Sequence, residues 1–172
     1  MLLLHTKTEH TTTIYGQLVL PYELREKSRL RATLTSGEEV GVFTTRGTVL
    51  RDGDLLKGDD DLVVQIVAAL EPTYKVQCPS AHALLRCAFH LGNRHTQAQV
   101  GTDAGGGFLR IRQDSVLKEM LEGLGATVAD DSASFEPESG AYSGGAHQHH
   151  GESHALAPIP LRQKIHRPSD PK

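Results

Sequence analysis

The chain has 172 residues, of which 38% are apolar and 23% are charged, a mixture that suits one compact domain or two small ones. A net charge of -3, from 18 Lys and Arg against 21 Asp and Glu, excludes the basic face that binding to nucleic acid or an anionic membrane requires. No segment approaches the ~20 apolar residues of a membrane span. Because 2 cysteines make a poor disulfide framework, we expect a reducing, cytoplasmic setting.

Residues 1–71 are predicted to form an N-terminal domain built of β-strands. Residues 29–34 alternate polar and apolar side chains, which is the period of a half-buried strand. Residues 62–67 are nearly all β-branched or apolar, which favours a buried strand. Between them, residues 52–54 read Asp-Gly-Asp, and this composition is typical of a tight turn because glycine takes a positive φ without strain.

Residues 72–136 predict the element order β-α-β-β-α-β, the split pattern of ferredoxin-like folds. The first helix begins after the N-cap Ser80, and the glycine-rich segment 101–107 is interpreted as a flexible hairpin loop. The apolar face of the first helix is predicted from helical spacing to consist of Ala81, Leu84, Leu85, Ala88 and Phe89. The predicted fold class is therefore α+β, and no iron–sulfur cysteine spacing accompanies it.

Residues 137–172 are rich in Ser, Gly, His and Pro and are predicted to form a flexible, disordered tail. Of the 10 histidines in the chain, five lie between His147 and His166. Neutral imidazole suits nickel, copper and zinc, and ligands two and three residues apart can wrap an ion reversibly. We expect metal binding by the clustered tail histidines, against the alternative of a solvated linker. The cluster consists of His147, His149, His150 and His154.

The string HLGNRH at residues 90–95 provides a second candidate site. His90 falls opposite the predicted apolar face of the helix and is expected to be exposed, whereas His95 follows the end of the helix. One imidazole cannot form a tight metal site. A copy of His95 across a two-fold axis, together with tail histidines, could complete one. The alternative is that His95 is an ordinary surface residue.

No catalytic residue is assigned, because the short motifs of metalloproteases, serine hydrolases and P-loop enzymes are absent. Asp59-Asp60-Asp61 is interpreted as a solvated turn, and Cys78 and Cys87 as core or half-exposed thiols. A ferredoxin-like RNA-binding module needs stacked aromatic residues and basic charge, and the strand at residues 108–112 offers one aromatic side chain. A metallohydrolase needs a general base beside metal-ligand spacing, which is also lacking.

Three strings carry a family resemblance. Residues 46–54 (RGTVLRDGD), 90–95 (HLGNRH) and 135–142 (FEPESGAY) resemble, in this order, strings of the UreE family of urease accessory nickel chaperones. The resemblance implies a β domain followed by a ferredoxin-like domain, through which two copies form a homodimer. It further implies a protein without catalytic turnover that delivers nickel for urease active-site assembly, working with the GTPase UreG and the urease accessory complex.

The resemblance also implies the ligands. His95 is expected to bind Ni²⁺ near the two-fold axis, paired with its copy, and the tail is expected to add His147, His149 and His150, with His154 as a further candidate. Zn²⁺ or Cu²⁺ can bind the same imidazoles. Some family members carry a His-x-His pair where this chain has Gln113 and Ser115, so that peripheral site is expected to be absent. The alternative function is a general nickel or zinc buffer without a dedicated client.

Overall fold

The computed structural model describes residues 1–10 and 13–139, which form two β-sheets that follow one another along the chain. The first sheet has six strands and the second has four, and α-helices accompany both. None of the helices within the described ranges is long and apolar enough to cross a membrane. The architecture is α+β, as the sequence predicts.

The first sheet has the strand order β2-β6-β5-β1-β4-β3. Its strands are β1 Leu2–Thr8, β2 Gly16–Leu20, β3 Arg29–Thr33, β4 Glu39–Phe43, β5 Leu55–Gly58 and β6 Val63–Ala68. Strand β1 pairs in parallel with β4, and β2 pairs in parallel with β6. Parallel partners are not joined by a tight turn, so no hairpin signal in the sequence marks β1 and β2. These two strands were therefore not predicted.

The first sheet buries an aliphatic core on one face. Leu4, Leu18, Val40, Leu56 and Ile66 have no exposed surface. Alternation along the strands brings these side chains to the same side of the sheet. A single-turn helix, α1 (Tyr22–Arg25), follows β2, and a 3-10 turn at Asp59–Asp61 precedes β6. The exposed acidic turn was predicted from the sequence, whereas α1 was not.

The second sheet has the strand order β10-β7-β9-β8, and every neighbouring pair is antiparallel. Its strands are β7 Leu70–Gln77, β8 Gln99–Asp103, β9 Gly106–Arg112 and β10 Thr127–Ser134. The helices are α2 Ala81–Gly92 and α3 Ser115–Gly123. The chain therefore follows the predicted order β-α-β-β-α-β. Both helices cover one face of the sheet, where Val76, Cys87, Ile111 and Leu121 are wholly buried.

The glycine-rich segment 101–107 forms a hairpin, as predicted, but most of it is strand and not flexible loop. Strands β8 and β9 run through most of it and leave only Ala104 and Gly105 as the turn. Gly101 lies directly against the ring of Phe108, since a Cβ atom there would overlap a ring carbon. The glycines of this hairpin therefore make room for an aromatic side chain as well as for the turn.

Arg25 lies at the junction of the two sheets and is completely buried. Its Nε donates to the carbonyl oxygen of Leu20 at 3.1 Å, and its Nη1 donates to that of Leu50 at 3.1 Å. Its Nη2 donates to the carbonyl oxygen of Phe135, just beyond β10, at 2.6 Å. An ion pair with Glu136 completes the set. One guanidinium group thus joins the first sheet to the end of the second.

Arg51 strengthens the same junction. Its Nη1 lies 2.8 Å from Oε2 of Glu136 and also donates to the carbonyl oxygen of Pro137 at 3.0 Å. Its Nη2 donates to the hydroxyl of Ser139 at 2.7 Å. Two guanidinium groups therefore share one carboxylate and hold residues 135–139 against the first sheet.

Replacement of Arg25 by alanine should destabilise the chain strongly. The variant Arg25→Ala takes hydrogen-bond donors away from buried carbonyl groups and removes one partner of an ion pair, a change that costs about 3–5 kcal/mol at comparable sites. Urea unfolding followed by circular dichroism measures the loss. The control is Arg29→Ala on strand β3, whose exposed side chain should change the free energy of unfolding by less than about 0.5 kcal/mol. Equal effects of the two variants would contradict the assignment of Arg25 as the junction.

Candidate metal site

Helix α2 positions the histidine that the sequence singles out. The helix begins at an N-cap, Ser80, whose hydroxyl accepts a hydrogen bond from the backbone N–H of Ala83 at 3.2 Å. It packs on the sheet through Ala83, Cys87 and Leu91, which repeat at helical spacing. The cap fixes where the helix begins, and the buried residues fix which side of it faces the sheet.

The end of α2 places His95 in an uncommon backbone conformation. The N–H of His95 donates to the carbonyl oxygen of Gly92 at 2.9 Å, and that of Thr96 donates to Leu91 at 3.1 Å. This pair of bonds is the Schellman pattern, in which the residue after the helix adopts a left-handed conformation. Here His95 has φ 52°, whereas glycine is the usual residue. A histidine thus stands where backbone sterics favour glycine, and such outliers gather at functional sites.

His95 is exposed and lies between two clefts. The first, of about 560 Å³, is polar and also contains Glu26 from the first sheet region and Arg112 and Asp114 from the second. The second cleft, of about 390 Å³, is mainly apolar. Its lining includes Ala88, Leu91, Val100 and Glu138 as well as His95. The imidazole is therefore reachable from solvent on more than one side.

The polar groups beside His95 already have partners. The side-chain amide of Gln97 donates from Nε2 to Oε2 of Glu26 at 3.3 Å, and its Oε1 accepts from Nη2 of Arg112 at 3.0 Å. Within residues 1–10 and 13–139, no three His, Cys, Asp or Glu side chains come together in a group that could hold a metal ion. The described part of one chain therefore does not enclose His95 in a complete set of metal ligands.

The exposed side of α2 differs from the prediction. Leu85 and Phe89, predicted to form the buried face, are 70% and 65% exposed. Ala81 and Ala88 are exposed as well, and of the predicted set only Leu84 packs against the core. The helix has two apolar faces, and spacing alone cannot show which of them meets the sheet.

The exposed apolar side of α2 is continuous with the apolar cleft that His95 lines. Val100, on the edge strand β8, is 57% exposed and lines the apolar cleft together with Ala88 and His95. Phe89 and Leu85 lie on the same helix as Ala88. Exposed apolar surface of this kind typically marks a contact site.

His90 is half-buried, and the prediction that it is exposed was wrong. Its imidazole meets the ring of Phe89 edge-on, with 5.6 Å between the ring centroids. The carbonyl oxygen of His90 accepts a hydrogen bond from Nη1 of Arg94 at 3.2 Å. Contacts with its own helix neighbours therefore partly cover His90. The predicted exposure of His90 was derived from the wrong apolar face of the helix, so it missed this burial.

The described chain ends beside this site. The N–H of Glu138 donates to the carbonyl oxygen of Ala98 at 2.9 Å, and Glu138 lines the same cleft as His95. Residues 140–172 follow, so the predicted tail ligands lie outside the described residues. These are His147, His149, His150 and His154.

The contacts that hold residues 135–139 in place were not predicted from the sequence. Glu136, inside the string at residues 135–142, accepts from Arg51 and from the N–H of Asp52, inside the string at residues 46–54. Two of the three strings that carry the family resemblance therefore touch in space. A pairing of opposite charges between those strings was the available signal.

Comparisons with known proteins agree on one family. The model of the UreE urease accessory protein N-terminal domain matches residues 4–69, and that of the C-terminal domain matches residues 71–160. A urease accessory protein UreE of Janthinobacterium sp. (strain Marseille) is 69% identical over 171 residues, which are 99% of this chain and 98% of that protein. A urease accessory protein UreE of Nitrosospira multiformis is 65% identical, again over 99% and 98% of the two chains.

The backbone at position 95 can be tested without metal. We expect His95→Gly to be more stable than His95→Ala by about 1 kcal/mol, because alanine keeps the left-handed strain that glycine relieves. Thermal and urea unfolding of the two variants measure the difference. At Asn93, where φ is -62°, the order should reverse, with Asn93→Ala more stable than Asn93→Gly by roughly 0.5–1 kcal/mol. The same order at both positions would refute the left-handed assignment.

Proposed function

Because the chain belongs to the UreE family of urease accessory proteins, we propose that it acts in urease maturation by binding Ni²⁺ and delivering it to the urease active site. The observation that carries the proposal is the exposed His95, which is held in a left-handed conformation at the end of α2 beside uncovered apolar surface. Imidazole is a good nickel ligand, and the role needs no catalytic turnover.

The metal site is completed by a second copy of the chain. A lone imidazole binds a divalent ion weakly, and a two-fold axis near His95 supplies an equivalent ligand. The homodimer forms through the C-terminal domain, residues 72–136, whose element order and strand order β10-β7-β9-β8 support a ferredoxin-like fold. The apolar side of α2 and Val100 provide the contact surface, since burial of Leu85 and Phe89 stabilises association.

The tail, residues 137–172, supplies further imidazoles. Ser139 is held at the domain junction by Arg51, and Glu138 lies in the cleft of His95. His147 is eight positions after Ser139, and an extended chain spans at most about 3.4 Å per residue, so His147 can reach about 27 Å from this anchor. That span covers the cleft. His147, His149 and His150, with His154, thus capture the ion and present it at the paired His95 site.

The proposed site favours transfer over storage. An exposed site of few imidazoles allows ligands of the GTPase UreG and the accessory complex to displace those of this protein one at a time. The same imidazoles bind Zn²⁺ and Cu²⁺, and copper more tightly, so nickel is selected by supply and by the partner. A chain with 2 cysteines is too poor in cysteine for a disulfide framework, which is consistent with a cytoplasmic setting.

A chain truncated after Tyr142 should be a dimer that binds one nickel ion for every two chains. Phe89→Glu in this background should give monomers, because a buried carboxylate opposes association, and should weaken nickel binding by at least about tenfold although His95 is intact. Light scattering with size-exclusion chromatography gives the oligomeric state, and titration calorimetry gives nickel binding.

The matched control for that experiment is Leu70→Glu. Leu70 is 72% exposed at the start of β7, away from α2, so this variant should stay dimeric and bind nickel as the parent does. Nickel bound undiminished by monomeric Phe89→Glu, or by dimeric His95→Gly, would overturn the paired site.

Delivery, as opposed to buffering, is tested with apo-urease and the other accessory proteins in the presence of a competing chelator. Nickel-loaded full-length protein should activate urease faster than a chelator buffer that holds the same free nickel concentration. His95→Gly, which retains the tail histidines, should lose this advantage by at least about tenfold, since even outer ligand partners change metal affinity by that factor. Equal activation by protein and chelator buffer would instead identify a general nickel or zinc buffer.

A further inference from the structure

The chain contains 2 cysteines, and the fold brings them together. Cys78 directly follows β7, and Cys87 lies in the middle of α2. Their Sγ atoms are 3.7 Å apart, and both thiols are free. Because the chain has no third cysteine, each thiol has the other as its only possible partner for an intramolecular disulfide.

The contact lies within reach of a covalent bond. A disulfide has an S–S length of about 2.05 Å, so the two sulfurs need to approach each other by roughly 1.7 Å. This is less than the distance that a thiol sulfur moves when its side chain changes from one staggered rotamer to another. The surrounding backbone is fixed, because Ser80 caps α2 between the two cysteines and Cys87 packs in the core of the second sheet. Closure therefore requires side-chain rotation within a rigid frame.

The two thiols differ in access. Cys78 is half-buried and reachable from solvent, whereas Cys87 has no exposed surface. Burial, together with the neighbouring Cys78, raises the pKa of the Cys87 thiol to about 11. Cys87 is thus protonated at neutral pH and reacts slowly, while Cys78 meets a soluble oxidant first. This asymmetry is that of an attacking and a resolving cysteine.

We propose that Cys78 and Cys87 form a thiol–disulfide modification site, which closes into an intramolecular disulfide on reaction with a low-molecular-weight disulfide such as oxidised glutathione. The thiolate of Cys78 attacks one sulfur of glutathione disulfide and releases one glutathione thiolate. Cys87 then loses its proton to solvent, attacks Sγ of Cys78 and expels the second glutathione. The protein loses two electrons and two protons, and one glutathione disulfide is reduced to two thiols.

A metal site at the same pair is less well supported. Within the described residues, no third His, Cys, Asp or Glu joins these thiols in a group that could hold an ion. Two thiols alone leave a divalent ion under-coordinated. The disulfide needs no further ligand, and it would tie β7 to α2, the helix that ends at His95.

The test uses the reduced full-length protein, incubated with oxidised glutathione, quenched with acid and analysed by intact mass and thiol titration. We expect the titratable thiols to fall from two to none, with the mass of a single chain less two hydrogen atoms. Peptide mapping should join the Cys78 peptide to the Cys87 peptide, and dithiothreitol should restore both thiols. Two thiols that persist, a final product that retains glutathione, or links between chains would each overturn the proposal.

Two variants establish the order of reaction. Cys87→Ala should stop at a mixed disulfide of Cys78 with one glutathione, and Cys78→Ser should keep Cys87 unmodified. In the parent chain, conversion of the mixed disulfide should accelerate about tenfold for each pH unit from about pH 7 to about pH 9, because it depends on ionisation of Cys87. Rapid glutathionylation of Cys87 in Cys78→Ser, or a rate independent of pH, would refute the assigned roles. The wild-type result decides the proposal even if a variant folds poorly.

Discussion

The buried guanidinium of Arg25 is the constraint on which the arrangement of both sheets depends. A charge removed from water is tolerated only where its donors are paired, and the partners of Arg25 come from segments far apart in sequence. The carbonyl oxygens of Leu20, Leu50 and Phe135 must therefore all lie within hydrogen-bond distance of this one guanidinium group. Once they do, the segment that follows Phe135 runs past Ala98 and into the cleft of His95. The buried charge of Arg25 in α1 therefore sets the position of residues 135–139, where the described chain ends.

The local chemistry of a helix end then sets the candidate ligand. The Schellman bonds at Gly92 and Leu91 turn the backbone at His95 away from the helix axis. A side chain at this position projects from the surface instead of packing along α2, and it stands between a polar and an apolar cleft. The strain of a left-handed histidine is offset by the well-packed helix before it, whose Cys87 and Leu91 are buried.

Local periodicity in the sequence is enough to predict the second sheet, but not all of the first. Strands β7 and β9 and helices α2 and α3 follow from spacing and caps, whereas β1 and β2 pair in parallel with strands distant in sequence. The buried face of α2 was mistaken because Leu85 and Phe89 repeat at the same spacing as Cys87 and Leu91. Charge favours exposure in general, so nothing local marks Arg25 as buried. His95 was singled out chiefly by family resemblance, and the tail ligands stay a prediction.

The two apolar faces of α2 support the proposal that the metal site is divided between two molecules. One face of the helix covers the sheet of its own chain, and the other, with Phe89 and Val100, is left uncovered beside His95. A site built from halves places each ligand on a separate rigid body, so no chain encloses the ion. The affinity for the metal ion is then the sum of a few weak metal–imidazole bonds, and a competing ligand can replace these bonds one at a time. Such a division suits an ion that must be held during transport and surrendered on encounter, which a closed site of the same ligands would resist.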